Sequence, residues 1–389
     1  MALPRAALAA GLVLAAGAGR AQSPAYRLTA HNPLDLARPG ETVEVGLTAL
    51  PGLSADDLAR VAVVDAETAR EALAQAVDSD GDGAFDQLVF QADFAPRQSR
   101  SFTLTPGQRR PPRKEDFRVY GRFNRERFDD FVWENDRVAH RMYGAALETW
   151  QKEPLTSSTV DVWLKRTRRL VVNDWYMVDD YHRDHGEGAD FYSAGPSRGC
   201  GGSGIWAGGQ LHVSRNFRQS RVLANGPIRL VFELSYLPWE IGGGRRVTEK
   251  KRITLDAGQH LNRFQSVYTV EGGGGPLQFA AGIKKPKDAQ LRTEREQGWI
   301  RMWEAVRDGN GNQGCGLIMP DPAVVADIVE LAPNALVVAA VPPGGAVTYH
   351  AGSAWDRGPD IPGLAEWDRY LAEWAQRVRA PLRVDVAAR

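Results

Sequence analysis

The sequence predicts an all-β protein, a small N-terminal β-sandwich followed by a large antiparallel β-sandwich with few helices. Three observations carry this. Short segments that alternate apolar and polar residues recur along most of the chain, as in TVEVGLTAL, SFTLT and RRVTEKKRITL. Forty Gly and 23 Pro divide the chain into many turns. No region alternates strand and helix patterns as a parallel α/β fold requires. The 389 residues exceed one small module, since domains run to ~100–200 residues. Hydrophobic residues make up 43%, enough for a core and too many for a disordered chain.

Taken in order, residues 1–21 read as a signal peptide. Arg5 gives the positive start, Ala6–Ala18 the apolar stretch, and Gly19-Arg20-Ala21 the small-x-small cleavage site. The stretch is too short to span a bilayer, and no later segment is long and apolar enough, so no membrane span is expected. The expected location is the periplasm or the outside of the cell. Residues 25–106 hold four strand patterns separated by Pro, Gly and Asp turns, which suits an immunoglobulin-like sandwich. Residues 107–114, rich in Pro and basic side chains, read as a linker. Residues 115–389 give about eight further strand patterns, among them VDVWLKR, RLVVNDWY, IRLVFELSY and NRFQSVYTV. Two helices are expected, Pro322–Leu331 and Leu364–Val378, the second from apolar Leu364, Trp367, Leu371, Trp374 and Val378.

Composition removes several function classes. Lys+Arg and Asp+Glu are both 48, and no basic block stands out, so nucleic acid is not an expected partner. GxSxG, Walker, Rossmann and zincin motifs are missing, and with them most of the case for serine-hydrolase, nucleotide or dehydrogenase chemistry and for an organic cofactor. The two cysteines, Cys200 and Cys315, sit in GCGG and GCGL. In an oxidising compartment they either bridge, closing a long loop, or stay as buried thiols in glycine turns.

Two stretches point to chemistry. Asp78-Ser-Asp80-Gly-Asp82-Gly-Ala84-Phe-Asp86 offers carboxylates at loop positions 1, 3, 5 and 9, with the Ala84 carbonyl at position 7. That is the oxygen-donor spacing of a calcium loop, though position 12 is Val89, so a structural Ca2+ is the expectation. Residues 173–206 gather Trp175, Tyr181, His182, His185, Glu187, Asp190, Tyr192, Arg198 and Trp206 on a Gly- and Pro-rich segment that reads as loop. His182-x-x-His185-x-Glu187 allows three readings: transition-metal ligands, an acid/base pair titrating near neutrality, or histidines that merely hold the loop. Arg141 and Arg198 are forked donors suited to a carboxylate, and Trp175 and Trp206 are flat faces suited to a sugar ring, although core packing is the commoner fate of a Trp.

The strings ENDRVAHRMYG (134–144), YHRDHGEGADFY (181–192), GPSRGCGGSGIW (195–206), VLANGPIRLVFELSY (222–236) and LDAGQHLNRF (255–264) together resemble a secreted bacterial family catalogued as domain of unknown function 4861. The resemblance runs over most of residues 25–385. His140 departs from the expected aromatic or aliphatic residue, so no role is carried onto it. Members of that family sit among polysaccharide-degradation genes, notably beside enzymes for uronic-acid glycans, so the resemblance implies an oligosaccharide or polysaccharide substrate. The large β segment is also similar to the supersandwich of galactose-mutarotase-type proteins, a likeness of fold alone.

The expectation is then an exported enzyme that processes uronic-acid-containing oligosaccharides by β-elimination. Arg198 with Asn135 or Arg141 would hold the sugar carboxylate, His182 or His185 would take the C5 proton, and Tyr181 or Tyr192 would protonate the leaving oxygen. Hydrolysis by Glu187 and Asp190, epimerisation by a mutarotase-like His/Glu pair, and glycan binding without catalysis are the alternatives.

Overall fold

A computed structural model describes residues 25–388 except 128, 152–154, 157, 179 and 343. Residues 1–21, expected as a signal peptide, lie outside the described residues.

The first sandwich forms as its alternation dictates. Tyr26, Leu28 and Ala30 of strand Tyr26–His31 face inward, as do Phe102 and Leu104 of Ser99–Thr105, and Val43 and Val45 of Arg38–Gly46. They close a core with Leu88 and Phe90, the last set edge-on to Phe102 at 4.7 Å between ring centroids. One layer has three strands and the other five. The fifth strand of the latter is Arg383–Ala388, which pairs antiparallel with Tyr26–His31 along its whole length. The end of the chain therefore completes the domain that its beginning started. The linker is held rather than free, because the backbone N–H groups of Gln108 and Arg109 both donate to the Arg60 carbonyl at 3.1 Å.

The rest of the chain builds a nine-stranded sheet and two five-stranded sheets, and every pair of named strands is antiparallel. Strand Cys200–Ala207 lies in one layer and strand Asn312–Ile318 in the nine-stranded layer. Cys200 and Cys315 join them in a disulfide, with Cα atoms 5.5 Å apart and a separation of 115 in sequence. A loop of about 100 residues so closed is worth ~4.7 kcal/mol in the chain-entropy account. The glycines flanking Cys315 have a separate task. Helix Leu364–Arg379 lays Trp367 and Leu371 onto that strand, and a Cβ on Gly314 would stand 2.6 Å from the Trp367 indole nitrogen.

Two expected elements come out differently. Pro322–Leu331 is a single 3-10 turn, Pro322–Val324, followed by strand Val325–Leu331. Asp321 caps the turn through Ala323 N–H (2.9 Å), and the β-branched Val325, Ile328 and Val329 pair with strand Asn334–Ala340. Within RLVVNDWY, expected as strand, Val172–Tyr176 is a helical turn. The buried Glu134 carboxylate accepts the N–H groups of Val171 (2.7 Å) and Val172 (2.8 Å), which gives the unpaired donors at a helix start an anionic partner.

Candidate acid-base site

One five-stranded sheet brings three carboxylates to one guanidinium. Arg141 on strand Ala139–Met142 stands opposite Asp161 in register, and Asp130 lies on the strand at the other side. Asp190 arrives from the loop that follows the short strand Gly188–Ala189. Gly188 has φ +113° and lies against the Leu164 carbonyl, where a side chain would collide. Arg141 Nε donates to Asp161 Oδ2 and its Nη2 to Asp190 Oδ2, both at 2.8 Å, while Nη1 is 3.6 Å from Asp130 Oδ2. Tyr143 donates to Asp161 at 2.7 Å, and Arg141 Nη1 donates to the Tyr181 oxygen at 3.2 Å. All four charged groups are buried.

Three carboxylates around one cation cannot all stay ionised cheaply out of water. Burial, only partly opposed by Arg141, lifts Asp130 to about 7, and burial lifts Asp190 well above the usual carboxylate range. The cluster therefore holds at least one proton near neutrality. Both Asp130 oxygens, one Asp190 oxygen and the side-chain amide of buried Asn124 make no well-formed hydrogen bond, although the Tyr176 hydroxyl lies close enough to Asp130 to favour its ionised form and is itself influenced by the Asn124 amide. Trp163 and Trp175 stack at 5.6 Å beside the cluster, with Trp163 also 5.4 Å from Tyr181. Arg127 lies 5.8 Å over the Tyr181 ring and 4.7 Å over Trp150.

His182 sits where this cluster meets solvent, its side chain 44% exposed. Its Nδ1 is 2.9 Å from the Asp190 carbonyl oxygen and 3.4 Å from Asp190 Oδ2. A carbonyl oxygen can only accept, so in the neutral ring Nδ1 carries the hydrogen and Nε2 keeps its lone pair. Exposed Arg307 reaches the same carbonyl oxygen through Nη2 at 3.2 Å, which places a cation beside the imidazole.

The other sequence-derived candidates scatter. His185 is exposed, with Nε2 3.3 Å from the Asp180 carbonyl. Glu187 forms a two-pronged pair with Arg169 (2.8 and 2.9 Å), which holds its carboxyl below the usual range, whereas Asp190 is buried; the two do not share one environment. Among the described residues, His182, His185 and Glu187 do not converge at metal-ligand distance. Tyr192 is in the core, its hydroxyl 4.0 Å from Cys315 Sγ. Arg198 is buried among Ser158, Ser203 and the Asn334 side chain, and burial lowers it to about 10. Asn135 spends its amide on the Asp256 and Gln259 carbonyls (2.7 and 2.8 Å) and its oxygen on the N–H groups of Arg137 and Val138. Trp175 is buried in the aromatic stack, and half-buried Trp206 lies in another sheet, opposite Gln278. Asn135, Arg141 and Arg198 are thus spent inside the fold. Arg307, a hundred residues further on, was not singled out from sequence, because an Arg in an RDGNG turn carries no signal of what it approaches. Asp130 and Asp161 did carry one, being acids inside otherwise apolar strand patterns.

In the acidic turn, carboxylate oxygens of Asp78, Asp80 and Asp82 lie within 4.8 Å of one another. Asp86 is turned away, accepting from Ser79 N–H (2.8 Å) and Ser79 Oγ (2.6 Å), and Ala84 donates its N–H to Asp82. Arginines from the large sheet brace the turn, Arg252 on the Asp80 carbonyl (2.9 Å) and Arg221 on the Gly81 carbonyl (2.6 Å).

Comparison with known proteins decides the family. The model for "Domain of unknown function (DUF4861)" matches residues 30–384. The chain belongs to this family. A curated relative, "Uncharacterized protein P7" of Formosa agariphila, is 30% identical over 373 residues, covering 92% of this chain and 93% of its own. Among solved structures, an alpha-mannosidase from Enterococcus faecalis V583 gives a TM-score of 0.45, and a protein in the glycosyl hydrolase family 38 from Enterococcus faecalis gives 0.48. Each is 11% identical and covers 94% of this chain, which spans about half of their length (46% and 48%). No described helix is long and apolar enough to cross a membrane.

Proposed function

We propose that the protein is an exported enzyme that cleaves uronic-acid-containing oligosaccharides by β-elimination, with His182 as the base. The observation that carries this reading is the half-exposed imidazole, fixed through Nδ1 on the Asp190 carbonyl, with Arg307 on the same oxygen. Nε2 accepts the C5 proton, the C5–H electrons form the C4–C5 double bond, and the C4–O bond breaks. Tyr181, whose ring centroid is 4.5 Å from that of His182, supplies the proton to the leaving oxygen. Its oxygen already accepts from Arg141, so its own O–H is the part left to give, and burial keeps it protonated near neutrality. Proton return from His182 to Tyr181 closes the cycle. Arg307 takes over the carboxylate role that Asn135, Arg141 and Arg198 cannot fill. The substrate class rests on the family's setting among polysaccharide-degradation genes.

Mature protein incubated with uronic-acid oligosaccharides should yield shortened products with new ultraviolet absorbance from the conjugated double bond. His182→Ala should lower kcat by about 10²–10⁴-fold, the usual share of a general base, and Arg307→Gln should act mainly on KM. Cleavage without new absorbance would replace elimination by hydrolysis, and full activity in His182→Ala would remove the site. We further propose that Asp78, Asp80 and Asp82 hold a structural calcium ion that stiffens the turn.

A further inference from the structure

A second site lies between the two domains, on the outer face of the nine-stranded sheet. A cleft of about 300 Å³ is lined by Thr254, Arg263, Gln265 and Thr348. A continuation of about 130 Å³ shares Arg263 and ends at His350 and Trp374. The first cleft is at the lower end of the ~300–1,000 Å³ usual for small-molecule sites.

Most charges around it are directly paired. Arg229 is tied to Glu44 and Asp256 (2.6 Å each), Arg252 to Glu233 (2.7 Å), and Glu41 to Arg38 (3.0 Å). Arg263 differs: it is exposed, and among the described residues it makes no direct hydrogen bond or ion pair, acting on Asp256 only through space, where it helps hold that carboxyl below the usual range. Trp374 is half-buried at the end of a stacked row, 5.7 Å from Tyr370, which is 5.6 Å from Trp367. Its indole N–H donates to His350 Nδ1 at 3.4 Å, which fixes the ring as a wall and leaves His350 Nε2–H as a further donor. Burial, with Arg263 adding to it, lowers His350 to about 3, so it stays neutral.

The cleft thus offers one forked cation without a direct partner, a flat apolar face, and neutral hydroxyl and amide groups, while its carboxylates Glu44 and Asp256 are held by Arg229. Nucleotide phosphates carry several negative charges and call for several cations. A hydroxylated ring with one acidic group calls for this set. We propose that the cleft binds an acidic saccharide, with Arg263 on its carboxylate or sulfate, Trp374 against the ring, and Thr254, Gln265 and Thr348 on its hydroxyls. The ligand class is shared with the proposed substrate, but the site is separate from His182.

The test is calorimetry on the full mature chain carrying His182→Ala, so that no probe is consumed. Three probes are used: a galacturonate trisaccharide, a sulfated galactose trisaccharide and neutral maltotriose. At least one acidic probe should bind, and Arg263→Gln should weaken that binding about tenfold or more, as loss of a charge-assisted pair requires. Arg263→Lys should recover part of it. Melting should change little, because Arg263 is exposed and makes no direct bond. Which acidic probe binds identifies the anionic group. Equal affinity in Arg263→Gln, equal binding of maltotriose, or no binding of either acidic probe would overturn the proposal. Turnover by the parent protein is scored separately. Absent turnover with Arg263-dependent binding removes only the lyase reading, and intact turnover with Arg263-independent binding removes only the cleft.

Discussion

The chain gathers three aspartates twice, with opposite results. Asp78, Asp80 and Asp82 occupy a surface turn, where backbone N–H groups hold the carboxylates in place and water remains within reach of Asp80 and Asp82. Asp130, Asp161 and Asp190 converge inside a sheet, away from water, on a single arginine in direct contact. The first trio faces solution, which can supply its counter-charge. The second has built its cation into the chain and offsets part of the remaining charge by retaining a proton. Burial, rather than the count of carboxylates, separates a solvent-facing acidic turn from a proton-holding core.

The largest effect should come from removing the internal cation. Arg141→Met leaves three buried carboxylates without their guanidinium and should cost about 3–5 kcal/mol in denaturant unfolding at pH 8. The loss should shrink in acid as the carboxylates protonate. A loss under ~1 kcal/mol would mean that the trio is no more buried than a surface pair.

Next is pH. The folded value of Asp130, about 7, lies above its ordinary 3.8, so the folded state binds the proton more tightly. The associated stability is complete below pH 4 and is lost as pH rises through 7, by up to roughly 4 kcal/mol. Asp130→Asn should flatten that decline, and an unchanged pH profile would show that Asp130 is not the proton holder. At the exposed trio, calcium at about 100 times its Kd should add ~2.7 kcal/mol and raise Tm, and Asp80→Ala should abolish the rise. No calcium response in the parent protein would leave the turn as a solvated acidic loop. The smallest effect is expected at Glu187, whose pair with Arg169 lies on the surface. Glu187→Gln should change stability by less than ~1 kcal/mol, and a larger loss would make that loop part of the core.

Much of the fold was legible. Alternation marked strands such as Tyr26–His31 and Arg246–Asp256, whose residues alternate between buried and more exposed, and the 364–378 periodicity marked a helix whose Trp367 and Leu371 are indeed fully buried. The misread elements depend on distant partners: Val325–Leu331 needed strand 334–340, and Val172–Tyr176 needed the Glu134 carboxylate. The site was half legible. Polar density in 181–190 drew attention to His182, Tyr181 and Asp190, which do meet. Asn135, Arg141 and Arg198 looked free to bind a ligand because a sequence displays donors without showing what already occupies them.

What the sequence alone determined is therefore local: the β character, the acidic turn at 78–86, and the residue types available for acid-base work. Tertiary structure decided which of those residues are spent. It brought Asp130 and Asp161 beside Arg141 across neighbouring strands, set Arg307 next to His182, joined Cys200 to Cys315, and returned the last strand to the first. Hydrogen-bond saturation and desolvation depend on everything around a group in space, and periodicity along the chain records only which face of an element is dry.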